Sequence, residues 1–311
     1  MSELLNTIPK MQNEPRQLER LAAQKQLYSI AKVVKAIQII ITVPVTIGIA
    51  IAVAFKPELS VWGATYGIVV SILNAAYLDT AMGSYKNKAA DIQQAFDCDV
   101  LQLSWSKLKL NKTPEPELIS AAANKYKKKD PDFNELRNWY PEKAGEVPIR
   151  VARIICQRSN AWYDASLRKT YANYVGSLVG AVVATILLLG IYEDKGMQHM
   201  VLAVFTPLMP VILWGIKEYR SNLSAIHSVK SIFRDVDALF KDAIGKRYTD
   251  ECIENRSSHL QAMLYDYRRN TPVIFDWVHK LLKNKQEAQM IAGAEILVEK
   301  TLERMNEERN P

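Results

Sequence analysis

Apolar runs of membrane-spanning length alternate along this chain with polar stretches patterned for helix. The run Tyr171–Tyr192, YANYVGSLVGAVVATILLLGIY, contains no Asp, Glu, Lys, Arg or His. As a helix rising about 1.5 Å per residue it is long enough for the hydrocarbon core of a bilayer. Ala36–Phe55, Leu59–Leu78 and Gly196–Ile216 are likewise free of Asp, Glu, Lys and Arg. Short turn-like breaks, Lys56-Pro57-Glu58 and Glu193-Asp194-Lys195, join the four runs in two pairs. Each pair therefore predicts a helical hairpin that crosses and returns, and four crossings leave both termini on one side.

Two of the runs carry small residues at every fourth position: Gly63, Gly67 and Ser71 in the second, Gly176, Gly180 and Ala184 in the third. Such stripes let backbones approach closely, so these six residues are candidates for packing or pore lining, and the two stripes are expected to touch within one subunit or between subunits. Asn74 is the strongest polar group inside a crossing, and an interhelical hydrogen bond fits it better than pore lining. Pro44 predicts a kink in the first crossing, and Pro207 and Pro210 weaken the backbone ladder of the fourth.

The flanking segments read as helix. LERLAAQKQLYSIAKVVKAI, from Leu18, runs without a break into the first crossing, and the helix opened by Pro148 meets no Gly or Pro before Gly176. Within residues 83–147 a helical start and CDVLQLSW precede PEPELISAAANKYKKK, where Pro116 is placed as a first helical residue. Beyond the fourth crossing Ile216, Tyr219, Leu223, Ile226, Val229, Phe233, Val236, Phe240 and Ile244 recur at steps of three and four, a long amphipathic stalk. From Thr249 two or three more helices follow, separated at Asn270-Thr271-Pro272. The expectation is an all-α integral membrane protein with four transmembrane helices in two hairpins and a helical cytoplasmic bundle. Its parts are an N-terminal helix (1–35), a first hairpin (36–78), an insert (79–170), a second hairpin (171–216) and a stalk with C-terminal region (217–311).

Charge sets the orientation. Residues 1–35 hold six Lys/Arg against three acids, 83–170 sixteen against eleven and 217–311 sixteen against fifteen, within a formal net charge of +7. Positive segments stay inside, so the long segments and both termini of this multi-pass chain are expected in the cytoplasm and the turns outside. The N-terminus lacks a basic region followed by an apolar core, so no cleaved signal is expected. Cys98, Cys156 and Cys252 are odd in number and far apart, which reads as free thiols.

Motifs for phosphate-loop, zinc-protease, serine-hydrolase and CxxC chemistry are missing, and the His are scattered at 199, 227, 259 and 279. An enzyme, a resident cofactor and a metal are therefore not expected. The crossings also lack acids, which argues against a proton or ion relay.

Candidate binding chemistry lies before the third crossing. Arg150, Arg153, Gln157, Asn160, Asp164 and Arg168 step along one face, with Arg158 and Trp162 four apart on another. Guanidinium forks suit phosphate, aromatic rings stack on bases, and Asp164 can orient Arg168. Spacing alone leans to an exposed face laced with ion pairs. A second cluster, Tyr265 to Trp277, sets Arg268 and Arg269 beside aromatics and acids. It reads as a helix ended by Pro272 or as an anion site. The Lys125–Lys129 run, more simply a solvated helix end, could also meet lipid headgroups or a nucleotide.

At these residues the chain resembles the SMODS-associated four-transmembrane effectors of CBASS anti-phage systems. The resemblance covers nearly the whole chain and rests on RQLERLAAQKQLYSIAK, CDVLQLSW, ARIICQRSNAWYDASLRKTY and LQAMLYDYRRNTPVIFDWVHKLL, in that order. Val273-Ile274-Phe275 stands where the family pattern is richer in proline. The resemblance implies an effector linked to a nucleotidyltransferase whose cyclic di- or trinucleotide activates it to assemble as a homo-oligomer and disrupt the bilayer. It involves no DNA or RNA polymer. The binding set, Arg153, Arg158, Trp162, Asp164, Arg168, Arg268, Arg269 and Trp277, comes from the residues themselves. A small helical transporter or channel, or a membrane scaffold, remains the alternative, and gene context would separate them.

Overall fold

Proline placement and apolar periodicity divide the chain into long helices. The computed structural model describes residues 6–104, 113–192 and 206–309, and these are helical throughout apart from turns and loops. A single turn, α1 (Ile8–Met11), precedes α2 (Pro15–Thr42), which starts on Pro15 and runs on into the apolar region. Pro44 lacks the N–H that would continue the ladder, so α2 stops at Thr42 and α3 (Pro44–Phe55) begins afresh. At this break the Tyr66 hydroxyl donates to the Ile41 carbonyl at 2.6 Å, satisfying a group that lipid could not.

A 3-10 turn over Pro57–Leu59 reverses the chain into α4 (Ser60–Leu73). One π-helical turn, Asn74–Leu78, carries α4 into α5 (Asp79–Val100). Asn74 at its start donates to Thr42 Oγ1 at 2.9 Å, the interhelical bond expected of it. Gln38 donates to Asp79 Oδ1 at 2.8 Å one turn further on.

The insert folds back on the N-terminal helix. α6 (Pro116–Lys127) opens on Pro116 and packs against α2, while short 3-10 turns at Asn134–Leu136 and Glu142–Glu146 lead to Pro148. α7 (Ile149–Tyr192) is one unbroken helix, and α8 (Thr206–Ile244) lies along it in the most extensive helix pairing of the fold. Thr249 caps α9 (Asp250–Asn270), whose end before Thr271-Pro272 follows from the restriction proline puts on its predecessor. α10 (Asp276–Arg309) then returns along α7. The C-terminal region is thus two helices.

Burial divides the molecule by position along these helices. Ile8, Leu21, Ile92, Phe96, Leu101, Leu136, Ile149, Ile154 and Ile155 form a closed core at the polar end. On α8 the stalk residues Val229, Val236 and Phe240 are buried in the same core, and Ile226 is buried outside it. Toward the apolar end burial fails: Trp62 is 71% and Ile68 63% exposed, and among the described side chains of α7 none beyond Val175 is buried. A large contiguous apolar surface belongs in lipid or against a partner.

Two helical stretches of the described residues, Pro15–Val53 and Ser60–Val100, are long and apolar enough to cross a membrane by length and composition. The third expected crossing forms the end of α7. The turn Glu193-Asp194-Lys195 and residues 196–205 of the fourth lie outside the described residues.

Candidate functional site

Thr271, Pro272 and Val273, the three residues after α9, direct successive carbonyls at cations from three different helices. Lys86 of α5 donates to the Thr271 carbonyl at 3.1 Å, Arg168 of α7 to that of Pro272 at 3.0 Å and Lys35 of α2 to that of Val273 at 2.9 Å. The helix dipole adds partial negative charge at the same end of α9. This segment is the point where the chain reverses between α9 and α10, and it lies beside the start of the apolar stretches of α2, α7 and α8.

Each cation is held by further bonds. Arg168 donates to Asp164 Oδ2 (2.7 Å), Thr271 Oγ1 (3.1 Å) and Asn222 Oδ1 (3.3 Å), so all three of its guanidinium nitrogens are engaged, and the guanidinium lies over the Tyr267 ring. Tyr267 donates to the same carboxylate oxygen of Asp164. Lys35 pairs with Glu218 of α8 at 2.5 Å, and Glu218 also accepts from Tyr171 (3.0 Å) and Asn222 (3.1 Å). Burial, then the charges of Arg168, Lys35 and Arg269, push the Lys86 ammonium below its ordinary pKa. Arg168, Lys35 and Arg269 are each paired with a carboxylate, of Asp164, Glu218 and Asp91, whereas Lys86 donates to a neutral carbonyl.

One turn back on α9, Arg268 and Arg269 part company. Arg268 turns inward to Asp97 Oδ2 at 2.5 Å, where Gln261 (2.9 Å) also donates; Tyr140 donates to the other oxygen at 2.7 Å. Burial opposes the Arg268 charge, but Asp97 and Tyr140 outweigh it and its pKa is raised. Arg269 faces outward, with 38% of its side chain exposed, and donates to the Tyr265 hydroxyl at 2.6 Å. Burial and the bond to Asp91 push that phenol up to about 12.

The eight residues picked from sequence therefore separate. Asp164, Arg168, Arg268 and Arg269 gather around the end of α9. Arg158 instead pairs with Asp237 of α8 at 2.8 Å and lies over Phe233, with Trp162 one turn along. Arg153 is 1% exposed and donates to the Leu101 and Gln102 carbonyls at 2.7 and 2.9 Å, so it fastens the end of α5. Trp277 meets Tyr174 edge-on, with ring centroids 6.2 Å apart. Spacing leans to an exposed face laced with ion pairs; the pairs Arg150–Asp250, Arg158–Asp237 and Arg168–Asp164 form, but Arg153, Gln157 and Arg168 are buried because α5, α8 and α9 pack over them. Lys35, Lys86 and Glu218 were missed. Lys35 and Glu218 each lie within two residues of a predicted crossing, which is the signal that could have found them.

The packing residues divide as well. A Cβ on Gly63 would meet Ile49 and Val53 of α3, and one on Gly176 the Tyr219 ring of α8. Gly67 and Gly180 have nothing within 4 Å of that position. The stripes thus face different neighbours where they make contact within the chain. Ser71 folds onto the Gly67 carbonyl at 2.7 Å, and the side chain of Ala184 is exposed.

The sequence profile described as the SMODS-associating 4TM effector domain matches residues 6–297. The chain belongs to this effector family. A relative from Bacillus cereus strain VD146, described as a probable CBASS effector molecule, is 23% identical over 290 residues, which is 90% of this chain and 94% of the relative. No solved structure matches the chain. Membership of the effector family accords with apolar helices able to associate with a membrane. Among the described residues no His, Cys, Asp and Glu group could hold a metal ion.

Proposed function

We propose that this chain is a membrane effector of a CBASS-type anti-phage system, switched by a cyclic di- or trinucleotide that binds at the cations around the end of α9. The observation that carries the reading is the row of three carbonyls, Thr271 to Val273, each held by a cation from a different helix. A phosphodiester oxygen is a stronger acceptor for ammonium and guanidinium than a neutral carbonyl. The nucleotide's phosphates would take Arg269 and the half-buried Lys86 first, both less buried than Arg168, and then compete for Arg168. Arg268, Asp164 and Tyr267 position these groups, and Tyr265 offers a ring face at the accessible edge.

Taking a cation from this segment frees the junction between α9 and α10 and loosens its ties to α2, α5 and α7. α2, α5 and α7 lead into three of the four crossings we assign and α8, paired along α7, carries the fourth, with both termini in the cytoplasm of the bacterial cell. Several copies would then repack through Gly67 and Gly180 to permeabilise the inner membrane and arrest growth. Moving a two-state population from 1:99 to 99:1 needs about 5.5 kcal/mol of differential affinity, which a few charge-assisted contacts of roughly 1.5–3 kcal/mol each can supply. The role needs no catalysis, and a linked nucleotidyltransferase would supply the signal.

The test uses the purified full chain in dye-loaded liposomes with a panel of cyclic di- and trinucleotides. One of them should bind and release dye, and Lys86→Ala or Arg269→Ala should weaken that binding by about ten- to a hundredfold. Dye release independent of every nucleotide, or binding untouched by both substitutions, would end the proposal.

A further inference from the structure

We propose that the start of α10 is an interfacial anchor that binds anionic lipid headgroups. The proposal rests on the reading of α7 as a membrane-crossing helix. α10 runs antiparallel to α7 in a fixed register: Trp277 meets Tyr174, Gln286 donates to Ser166 Oγ at 3.1 Å, and Glu295 pairs with Lys143 at 3.3 Å. Trp277 therefore stands level with the first turn of the apolar end of α7, and the helix climbs from there toward the polar core.

Side chains follow that axis in the order an interface requires. Trp277 is 55% and Leu281 61% exposed, beside Tyr174 and Leu178 at 47% and 59%. One apolar surface thus continues from α7 onto α10. Val278, between Trp277 and Leu281, is fully buried, and Lys32 of α2 pairs with Asp276, so this end is pinned and its outward face is fixed. Lys280 and Lys285 are exposed, three and eight residues after Trp277. At about 1.5 Å per residue their Cα atoms lie roughly 5 and 12 Å above that of Trp277.

Trp is favoured at the boundary between hydrocarbon and headgroups, and a lysine next to the surface attracts anionic lipid. The occupant is a lipid surface rather than a second protein, because the patch is continuous with the exposed apolar surface of α7 and the one acid at its edge, Asp276, is already paired with Lys32 while Lys280 and Lys285 are exposed. Anionic headgroups would hold the start of α10 at a defined depth, and with it the neighbouring Thr271–Val273 segment.

Spin labels in the full chain test this, on a Cys252→Ser background in which Cys98 and Cys156 stay buried. Labels are placed by Leu281→Cys, by Ile68→Cys in the second crossing and by Glu303→Cys on the exposed polar end of α10, all in lipid nanodiscs. The label at 281 should show a several-fold higher ratio of oxygen to nickel-chelate accessibility than the one at 303. That ratio should rise further when phosphatidylglycerol replaces part of the phosphatidylcholine, and the rise should vanish in the Lys280→Gln, Lys285→Gln double variant. A ratio at 281 equal to that at 303 overturns the anchor, as does low access to both reagents, the mark of a second copy covering the face. Indifference to phosphatidylglycerol overturns the anionic-lipid assignment. A water-accessible label at 68 would instead mean that the crossings are not in the bilayer, and the anchor falls with that reading.

Discussion

Arg268 of α9 and Asp97 of α5 stand 171 residues apart in sequence and 2.5 Å apart in the fold. Asp97 is fully buried, so its carboxylate depends on this guanidinium together with the bonds from Gln261 and Tyr140. Removing one partner of a buried pair leaves an uncompensated charge and costs roughly 3–5 kcal/mol. Arg268→Ala should therefore lower the thermal midpoint of the detergent-solubilised chain steeply, and adding Asp97→Asn should recover much of the loss. An unchanged midpoint in Arg268→Ala would show that the pair does not hold the bundle.

Arg153 has a different task from the one its spacing suggests. It closes the end of α5, where Gln102 adopts a left-handed backbone (φ 54°) and aims its carbonyl, with that of Leu101, at the guanidinium. Arg153→Met strips both carbonyls of a donor, at about 2–4 kcal/mol in stability. Fifteen residues of helix, roughly 22 Å, separate it from Arg168. Nucleotide affinity of the folded variant should stay at the parental value in calorimetric titration. A selective loss of affinity with stability intact would return Arg153 to the binding set.

The helices were legible because prolines mark their starts and apolar periodicity marks their faces: Pro15, Pro116 and Pro148 all stand at helix beginnings, and the stalk pattern from Ile226 to Phe240 is the buried face of α8. The arginine face of α7 was legible as a face, but not its partners. Which acid or carbonyl meets Arg153, Arg158 or Arg168 depends on how α5, α8 and α9 pack on it, and nothing within α7 encodes that. Lys86 illustrates the same limit. A lysine on an ordinary helix gives no local sign of serving a carbonyl 185 residues away.

The three thiols should differ sharply in reactivity. Burial raises the pKa of Cys98 and Cys156, helped by the neighbouring charge of Asp97, so each stays a protonated thiol at neutral and mildly basic pH. Cys252 is half-buried near the start of α9. Maleimide labelling of the native chain at pH 8 should modify Cys252 alone, with Cys98 and Cys156 reacting only after denaturation, as peptide mass mapping would record. Fast native labelling at Cys156 would mean that the core around α7 opens readily.

Gly176 and Gly180 belong to one stripe yet should respond oppositely to the same substitution. A Cβ at Gly176 would lie 3.1 Å from the Tyr219 ring, whereas one at Gly180 meets nothing within 4 Å. Gly176→Leu therefore forces α7 and α8 apart, an overpacking cost of about 1–3 kcal/mol that should appear as a lower thermal midpoint of the monomer in detergent. Gly180→Leu adds bulk to open surface and replaces glycine with a better helix former, so the monomer should be as stable as the parent or slightly more so. If copies of the chain pack through this stripe, Gly180→Leu should reduce chemical cross-linking between copies in liposomes and suppress nucleotide-triggered dye release, leaving nucleotide binding intact. Should Gly180→Leu cross-link and release dye like the parent, the open part of the stripe faces lipid, and assembly runs through another surface.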